Sequence, residues 1–328
     1  MANLETRYLG LKLKTPILAA ASSISSHIDR IQQAEEAGAG ALVIRSLFEE
    51  QILQQALKFE EDLAVGSDSF AEALSYFPNI EYGEAEEHLM WIKKTRDAVD
   101  FPLIASLNAY SPGTWVKYAQ KLEGTGVSAL ELNPYAVAVN PKMRGADIEK
   151  ELYDVVKAVI SEVKIPVSVK LSPYFTSLMN VASELQGLGV SGLVLFNRFL
   201  QPDIDAENEK VISEMVYSHP IESRLPLRWI ALMSNELKLD LAHNTGIHTG
   251  VDTARALLAG ASVVQVASVL YKEGIPYLST ILRDLEAWMA EKGYSKLEDF
   301  RGKLSAAEVD DPFTYERAQY VNLLLGQN

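Results

Sequence analysis

Several polar side chains stand at the ends of short apolar runs of the sequence, and their types suit a planar, hydrogen-bonding ligand. These residues are Asn108, Asn133, Asn197, Lys170, Arg45 and Ser46. Amides donate and accept hydrogen bonds, and lysine adds a cation. A single Asn at such a place is usually a turn or cap residue, and Lys170 alone could equally face solvent. The repeated pattern favours one shared binding site.

A second group of residues predicts an anion site. Thr245-Gly246-Ile247 and Ala267-Ser268 also follow apolar runs, and a helical pattern begins near Val251. Backbone N–H groups at a glycine turn and at a helix start bind phosphate, although a glycine in a tight turn needs no ligand by itself. We therefore expect the turn, the helix start and Ala267-Ser268 to form one phosphate site.

Other kinds of chemistry lack support in the sequence. The five histidines have no metal-ligand spacing, and the chain has no cysteine, so no metal site is predicted. The absence of cysteine also excludes disulfides, Fe–S ligation and a thiolate nucleophile. No nucleophile elbow, Walker A motif or strand-linked Gly-x-Gly-x-x-Gly occurs, so hydrolase and dinucleotide-binding interpretations are not favoured.

The elements that must position these residues follow a repeating pattern. Apolar runs 38–44, 126–132, 189–195 and 260–266 begin with glycine, runs 16–21, 102–107 and 166–171 begin with proline, and 239–243 completes the set. Helical patterns at 28–37, 115–122, 178–188 and 253–259 precede the glycine runs. A glycine there is typical of a left-handed helix cap before a buried parallel strand.

Eight such strands with helices between them predict a (β/α)₈ barrel. A doubly wound open sheet is the alternative, but it usually needs fewer strands. Since the carboxyl ends of barrel strands share one face, the polar residues should converge there. Residues 4–14 are expected to form a hairpin that closes the opposite end. Long segments at 49–97 and 198–225 should lie over the C-terminal face, and no linker divides the single domain 1–328.

Composition narrows the partners. The 328 residues include 30 Lys and Arg against 44 Asp and Glu, a net charge of −14, with 48% hydrophobic residues. A negative surface disfavours nucleic acid and anionic membranes. No run of 18 apolar residues and no signal-peptide core are present, so a cytoplasmic protein is expected.

Longer motifs resemble a known family over nearly the whole chain. They are the N-terminal run from Leu9 to Ile17, Glu131-Leu132-Asn133, Val169-Lys170-Leu171-Ser172-Pro173, Phe196-Asn197, and the run from Thr245 to Gly250 followed by Leu257 to Ala261 and Gln265 to Gly274. The last piece is the most specific. Together they resemble the soluble class of the dihydroorotate dehydrogenase family, flavin-dependent (β/α)₈ barrels.

The resemblance implies bound FMN, hydride transfer from a substrate carbon to flavin N5, a second electron acceptor of unknown identity, and a homodimer. Residues along the isoalloxazine would be Ala20, Ala21 and Ser22. Its polar edge or the ribityl chain would be held by Ser46, Asn108, Asn133, Lys170 and Asn197. The phosphate would be cradled by Thr245, Gly246, Ile247, Ala267 and Ser268.

The substrate half of the family's site is altered. The family's catalytic base falls on Ala136, which cannot accept a proton, and its lysine after the second strand is Arg45. Of four substrate-binding Asn residues, Asn133 and Asn197 remain, while the other positions are Ala73 and Ala138. Each orotate group left unpaired would cost about 1–3 kcal/mol.

We therefore predict an FMN-dependent oxidoreductase that acts on a small polar substrate and is inefficient on dihydroorotate. Substrate would contact Asn133, Asn197 and Arg198. At the position of Arg198 the family has a small hydroxyl residue. Arg45 and Tyr135 are the catalytic candidates, Tyr135 being the nearest protic side chain to the altered base position. Arg45 with Arg198 would suit a carboxylate or phosphate, unless both form surface ion pairs.

Two alternatives remain open. The barrel could bind flavin or serve as a scaffold after losing catalysis, as Ala136 and Ala138 suggest. It could also be a flavin-free enzyme acting on a phosphorylated substrate, with Lys170 as a substrate ligand or Schiff-base lysine.

Overall fold

The computed structural model describes residues 2–48, 83–108, 112–134 and 137–316. The strands are β1 Thr6–Tyr8, β2 Leu11–Leu13, β3 Ile17–Ser22, β4 Ala41–Phe48, β5 Leu103–Asn108, β6 Ala129–Leu132, β7 Val167–Leu171, β8 Gly192–Leu195, β9 Asp203–Asp205, β10 Lys210–Ile212, β11 Asp240–Asn244 and β12 Val263–Val266. The helices are α1 Ile28–Glu36, α2 Gly83–Ala98, α3 Pro112–Glu123, α4 Gly145–Glu162, α5 Leu178–Gly187, α6 Arg224–Met233, α7 Gly250–Ala259, α8 Ser268–Glu273, α9 Tyr277–Lys292 and α10 Phe313–Glu316.

Eight parallel strands close into a barrel in the order β11-β12-β3-β4-β5-β6-β7-β8. Closure depends on the pairing of the last strand with the first, in which Val264 lies opposite Ile17. Helices connect successive strands, so the predicted (β/α)₈ barrel is confirmed and the open-sheet alternative is wrong. All eight predicted strand segments form barrel strands.

The glycines that precede four barrel strands have the backbone conformation that the sequence predicted. Gly38, Gly126, Gly189 and Gly260 have φ angles of 96°, 84°, 97° and 112°. Residues with a side chain rarely adopt this region, whereas glycine does so readily. These caps end the helices and turn the chain into the next strand.

The N-terminal hairpin of β1 and β2 closes the amino-terminal end of the barrel, as predicted. Its strands pair antiparallel, with Thr6 opposite Leu13. The Leu9 N–H donates to Asp240 Oδ2 at 2.7 Å, and Thr6 Oγ1 donates to the Ser262 carbonyl at 3.1 Å. Tyr8 is completely buried, so the hairpin is part of the barrel core.

The barrel interior changes from apolar to polar along the strands. Near the hairpin it is packed with small and branched apolar residues, including Leu18, Val43, Ile104, Ala129, Val194, Ala242 and Val263. Side chains on a strand alternate between faces, so residues two positions further along also point inward. On β6, β7 and β12 these are Glu131, Lys170 and Gln265, all buried. The strands thus deliver polar groups to the C-terminal end.

Segment 198–225 follows β8 and ends in the first residues of α6. It contains the antiparallel pair β9–β10 and a short 3₁₀ helix, Pro220–Ser223. Of the other long segment, only its end is described, where α2 begins at Gly83. No helix in the described part of the chain has the length and apolar character needed to cross a bilayer.

Candidate active site

An open cavity lies at the C-terminal ends of the barrel strands. The empty space in it, including open solvent at the mouth, is about 580 Å³. Predicted site residues that line it are Ala20, Ala21, Lys170, Asn197, Arg198, Thr245, Gly246, Ile247, Ala267 and Ser268. Asn244, at the same strand end as Thr245, also lines it, and lining residues that sequence reasoning missed are Ser218, Gln265 and Val266. The convergence of β3, β7, β8, β11 and β12 therefore forms one site.

The cavity floor contains a buried charge pair. Lys170 Nζ lies 3.6 Å from Glu131 Oε1, with side-chain exposures of 9% and 1%. Glu131 Oε2 accepts a 2.7 Å hydrogen bond from Gln265 Nε2. Buried charges are tolerated when they are paired and hydrogen-bonded. Lys170 therefore points into the barrel mouth, and a carboxylate behind it balances its charge.

Two of the predicted Asn side chains form a pair at the cavity wall. Asn197 Nδ2 donates to Asn133 Oδ1 at 2.9 Å. Asn197 lines the cavity and Asn133 lies behind it. This bond leaves Asn197 Oδ1 as an acceptor and Asn133 Nδ2 as a donor, which together complement a neighbouring N–H and C=O on a ligand.

The turn after β11 has an unusual backbone. Thr245 and Gly246 have φ angles of 83° and 76°. A Cβ on Gly246 would lie 2.5 Å from the Ser223 backbone nitrogen, so only glycine fits between this turn and the 3₁₀ helix. Thr245, with its side chain, is held in a strained conformation, which is typical of functional sites.

The helix start that the sequence adds to the predicted anion site carries its own cap. The helix is α7, and its N-cap Thr249 forms a capping box with Asp252. The N–H groups of His248 and Thr249 donate to Asp252 Oδ2, at 3.2 and 3.0 Å, and the Asp252 N–H donates to Thr249 Oγ1. These three donors are therefore taken within the cap. A phosphate would bind at the Thr245–Ile247 turn and Ala267-Ser268, with any helix contribution limited to N–H groups outside the cap.

Residues 217–219, within segment 198–225, are held at the cavity by contacts with α8. The Ser218 N–H donates to Ser268 Oγ at 3.0 Å, and Lys272 Nζ donates to the Ser218 carbonyl at 3.1 Å. Tyr217 stacks on Tyr271 with ring centroids 5.4 Å apart, and the Tyr271 hydroxyl accepts from the Ser23 N–H at 2.9 Å. The side chains of α8 therefore connect segment 198–225 to the end of β3.

His248, beside Ser218, has a lowered pKa. His248 Nε2 lies 3.4 Å from Ser218 Oγ. Burial, and then the charge of Lys272, lower the pKa of His248. His248 is therefore a neutral hydrogen-bonding group at neutral pH and adds no positive charge for an anion.

The remaining predicted residues do not line this cavity. Arg45 is exposed, and its N–H donates to Ser25 Oγ at 2.9 Å. Ser46 Oγ shares a 2.7 Å hydrogen bond with Ser106 Oγ, and Asn108 is buried. Ser22 Oγ is buried with no hydrogen-bond partner among the described residues. Tyr135, Ala136 and Ala73 lie outside the described residues.

Arg198 reaches the cavity but is already paired. Its Nε donates to Glu222 Oε2 at 2.8 Å, and its guanidinium also donates to the Val216 carbonyl. Although burial opposes the change, the Arg198 hydrogen bond lowers the pKa of Glu222. A ligand anion at Arg198 would have to compete with this carboxylate.

Known proteins are similar to this chain in sequence over most of its length. The family model described as dihydroorotate dehydrogenase matches residues 3–289. The chain belongs to the dihydroorotate dehydrogenase family. Three similar relatives are described as dihydroorotate dehydrogenase B (NAD(+)), catalytic subunit, and another, from Aeropyrum pernix, as a putative dihydroorotate dehydrogenase A (fumarate), 28% identical over 307 residues. The protein of Thermoplasma volcanium is 26% identical over 313 residues, covering 92% of this chain and 98% of the relative. That of Methanothermobacter thermautotrophicus is 27% identical, covering 91% and 97%, and that of Shouchella clausii is 30% identical, covering 63% and 69%.

Membership in the dihydroorotate dehydrogenase family makes the chain an oxidoreductase of that type, acting on CH–CH groups. Glu131 and Gln265, which sequence reasoning did not select, could have been found, because each is a polar residue inside an otherwise apolar strand. Ser218 and Tyr271 gave no such signal, since their partners lie far away in the sequence.

Proposed function

We propose that the chain is an FMN-dependent oxidoreductase that removes a hydride from a small polar substrate other than dihydroorotate. One observation carries the proposal. A single cavity combines a buried cation, Lys170, with the glycine turn Thr245–Ile247 and with Ala267-Ser268. A cation and a set of backbone donors are the groups required by a ligand with an electron-accepting ring at one end and a phosphate at the other.

The residues present fit FMN. Ala20 and Ala21, at the end of β3, have small side chains, so a flat ring could lie close to this wall of the cavity. A Cβ at Gly246 would clash with Ser223. Glycine therefore lets the turn lie close to the 3₁₀ helix, and the N–H groups of the turn would bind the phosphate. The isoalloxazine would lie along Ala20 and Ala21, its polar edge at Lys170, and the phosphate at Thr245–Ile247 and Ala267-Ser268. FMN would supply an acceptor for the hydride.

The chain's own residues then divide the remaining work. Lys170 supplies positive charge where negative charge develops, and it costs no reorganisation because Glu131 and Gln265 already hold it in place. The Asn133–Asn197 pair offers one donor and one acceptor that would orient an amide-like group of the substrate. Arg198 would bind a substrate carboxylate by exchanging Glu222 for it.

The substrate is proposed to differ from dihydroorotate because the proton-accepting position is altered. The third residue after Asn133 is Ala136, and the chain contains no cysteine. A second cavity, of about 370 Å³, shares Asn197, Arg198 and Thr245 with the first and includes Tyr174, Phe196 and Phe199 in its wall. A bulkier substrate than dihydroorotate would have room there.

The test is the visible spectrum of the purified protein, followed by reconstitution with FMN and anaerobic mixing with dihydroorotate. We expect stoichiometric FMN uptake and little or slow bleaching by dihydroorotate. A protein that stays colourless with excess FMN would overturn the cofactor and favour the flavin-free enzyme. Rapid bleaching by dihydroorotate would instead overturn the altered substrate while leaving the cofactor in place. Lys170→Met, which removes the cation at the cavity floor, should be bleached more slowly than wild type by any substrate that bleaches wild type.

A further inference from the structure

The carboxylate of Glu131 is enclosed in the barrel directly behind the cavity floor. Lys170 and Gln265 line the cavity, whereas Glu131 does not. Only 1% of the Glu131 side chain is exposed. Below it, burial and then the charge of Glu131 raise the pKa of Tyr8 well above its ordinary value. Because the barrel interior excludes water, the charge of this carboxylate is weakly screened there.

The anchor of this carboxylate is Gln265, and Lys170 is its counter-charge. Gln265 Nε2 donates to Oε2 at 2.7 Å. Lys170 Nζ stands 3.6 Å from Oε1, beyond ordinary hydrogen-bond distance, and Oε1 has no hydrogen-bond partner among the described residues. The lysine is thus attracted by charge without giving up its N–H donors, which stay available to a ligand in the cavity.

We infer that Glu131 is a positioning residue that sets the electron affinity of the flavin through Lys170. The inference rests on the proposed function, since it concerns the FMN placed in this cavity. A negative charge behind Lys170 partly cancels the field of the ammonium at the cavity floor. It therefore disfavours any gain of negative charge by the bound ring and keeps the flavin potential lower than Lys170 alone would make it.

The experiment uses the full-length FMN-loaded protein and sulfite, which binds to oxidised flavin and adds negative charge to it. Glu131→Gln has the same shape and can keep the Gln265 contact, but it removes one charge. We expect its sulfite dissociation constant to fall about tenfold, and its midpoint potential to rise by about 30 mV, the equivalent of tenfold for a two-electron couple.

Two further variants separate charge from shape. Gln265→Glu places a second carboxyl group 2.7 Å from the first, and such a pair shares one proton near neutral pH, so its sulfite affinity should stay close to that of wild type. The double variant Glu131→Gln with Gln265→Glu moves the carboxylate across the 2.7 Å contact and should return the constant towards wild type. Ser168→Ala changes a buried neutral residue on β7 and should leave sulfite affinity within twofold.

The outcomes distinguish the two proposals. Wild-type protein that binds no FMN overturns the proposed function and this inference with it. If wild type binds FMN but Glu131→Gln leaves sulfite affinity unchanged or weakens it, Glu131 is merely structural. If Glu131→Gln does not fold, Lys170→Met is compared with the double variant Lys170→Met with Glu131→Gln, and equal sulfite affinity in these two overturns the inference.

Discussion

Replacing Gly246 by alanine tests the turn on which the proposed phosphate site depends. At this position φ is 76°, a region that costs an L-residue about 1–2 kcal/mol. The new Cβ would also meet the Ser223 nitrogen at 2.5 Å and the Ser223 Cβ at 2.9 Å. Both atoms belong to a backbone segment that must move, and such overpacking costs about 1–3 kcal/mol. We expect Gly246→Ala to lower the free energy of unfolding by about 2–5 kcal/mol.

Gly293→Ala is the matched control for backbone strain. Gly293 has a φ of 75° at the end of α9, and a Cβ there has nothing within 4 Å. Its substitution should therefore cost only the strain, about 1–2 kcal/mol. The difference between the two variants isolates the close approach of Ser223 to the turn.

Urea unfolding of both variants, with and without FMN, measures these costs. We also expect Gly246→Ala to weaken FMN binding at least tenfold, because the turn can no longer direct its N–H groups, whereas Gly293→Ala should bind FMN as wild type does. If the two variants lose equal stability and bind FMN equally well, the contact between the turn and Ser223 has no role in the site and the reasoning is refuted.

Three further outcomes are expected. Lys170→Met leaves the Glu131 carboxylate buried without its cation and should cost about 3–5 kcal/mol in urea unfolding, most of it recovered by adding Glu131→Gln; additive losses would contradict the pairing. Burial lowers the pKa of His243 to about 4, so the unfolded chain binds the proton more readily. A penalty of up to about 3 kcal/mol should then develop as pH falls from about 6.5 to 4, and His243→Leu, followed by urea unfolding across this range, should lose that dependence. Tyr271→Phe removes the acceptor of the Ser23 N–H and should weaken FMN binding about fivefold, as measured by fluorescence titration. Unchanged affinity would show that this contact does not support the site.

Local sequence pattern was enough to locate the barrel strands. Glycine before one group of strands and proline before another are short-range signals, because each acts through its own backbone dihedrals. The helix-capping glycines adopt positive φ as predicted. The hairpin that closes the barrel was also predictable, since its apolar residues alternate with charged ones over only eleven positions.

Arg45 marks a limit of such extrapolation. Val43 faces the barrel interior, and strict alternation would send Arg45 inward as well. The pairing of β4 with β5 shifts register between Ile44 and Leu47, and such an irregularity re-aims the side chains that follow it. Arg45 is exposed as a result, and nothing in its neighbouring residues announces the shift.

The sequence by itself determined the strand and helix order, the barrel and the set of polar residues that its strand ends deliver, because these depend on periodicity and on single-residue backbone preferences. Tertiary structure alone decided which partner each polar group has. It gave Lys170 the Glu131 carboxylate and joined Asn197 to Asn133. The register between strands and the path of the insertion set these pairings, so a buried polar group finds partners that no local pattern encodes.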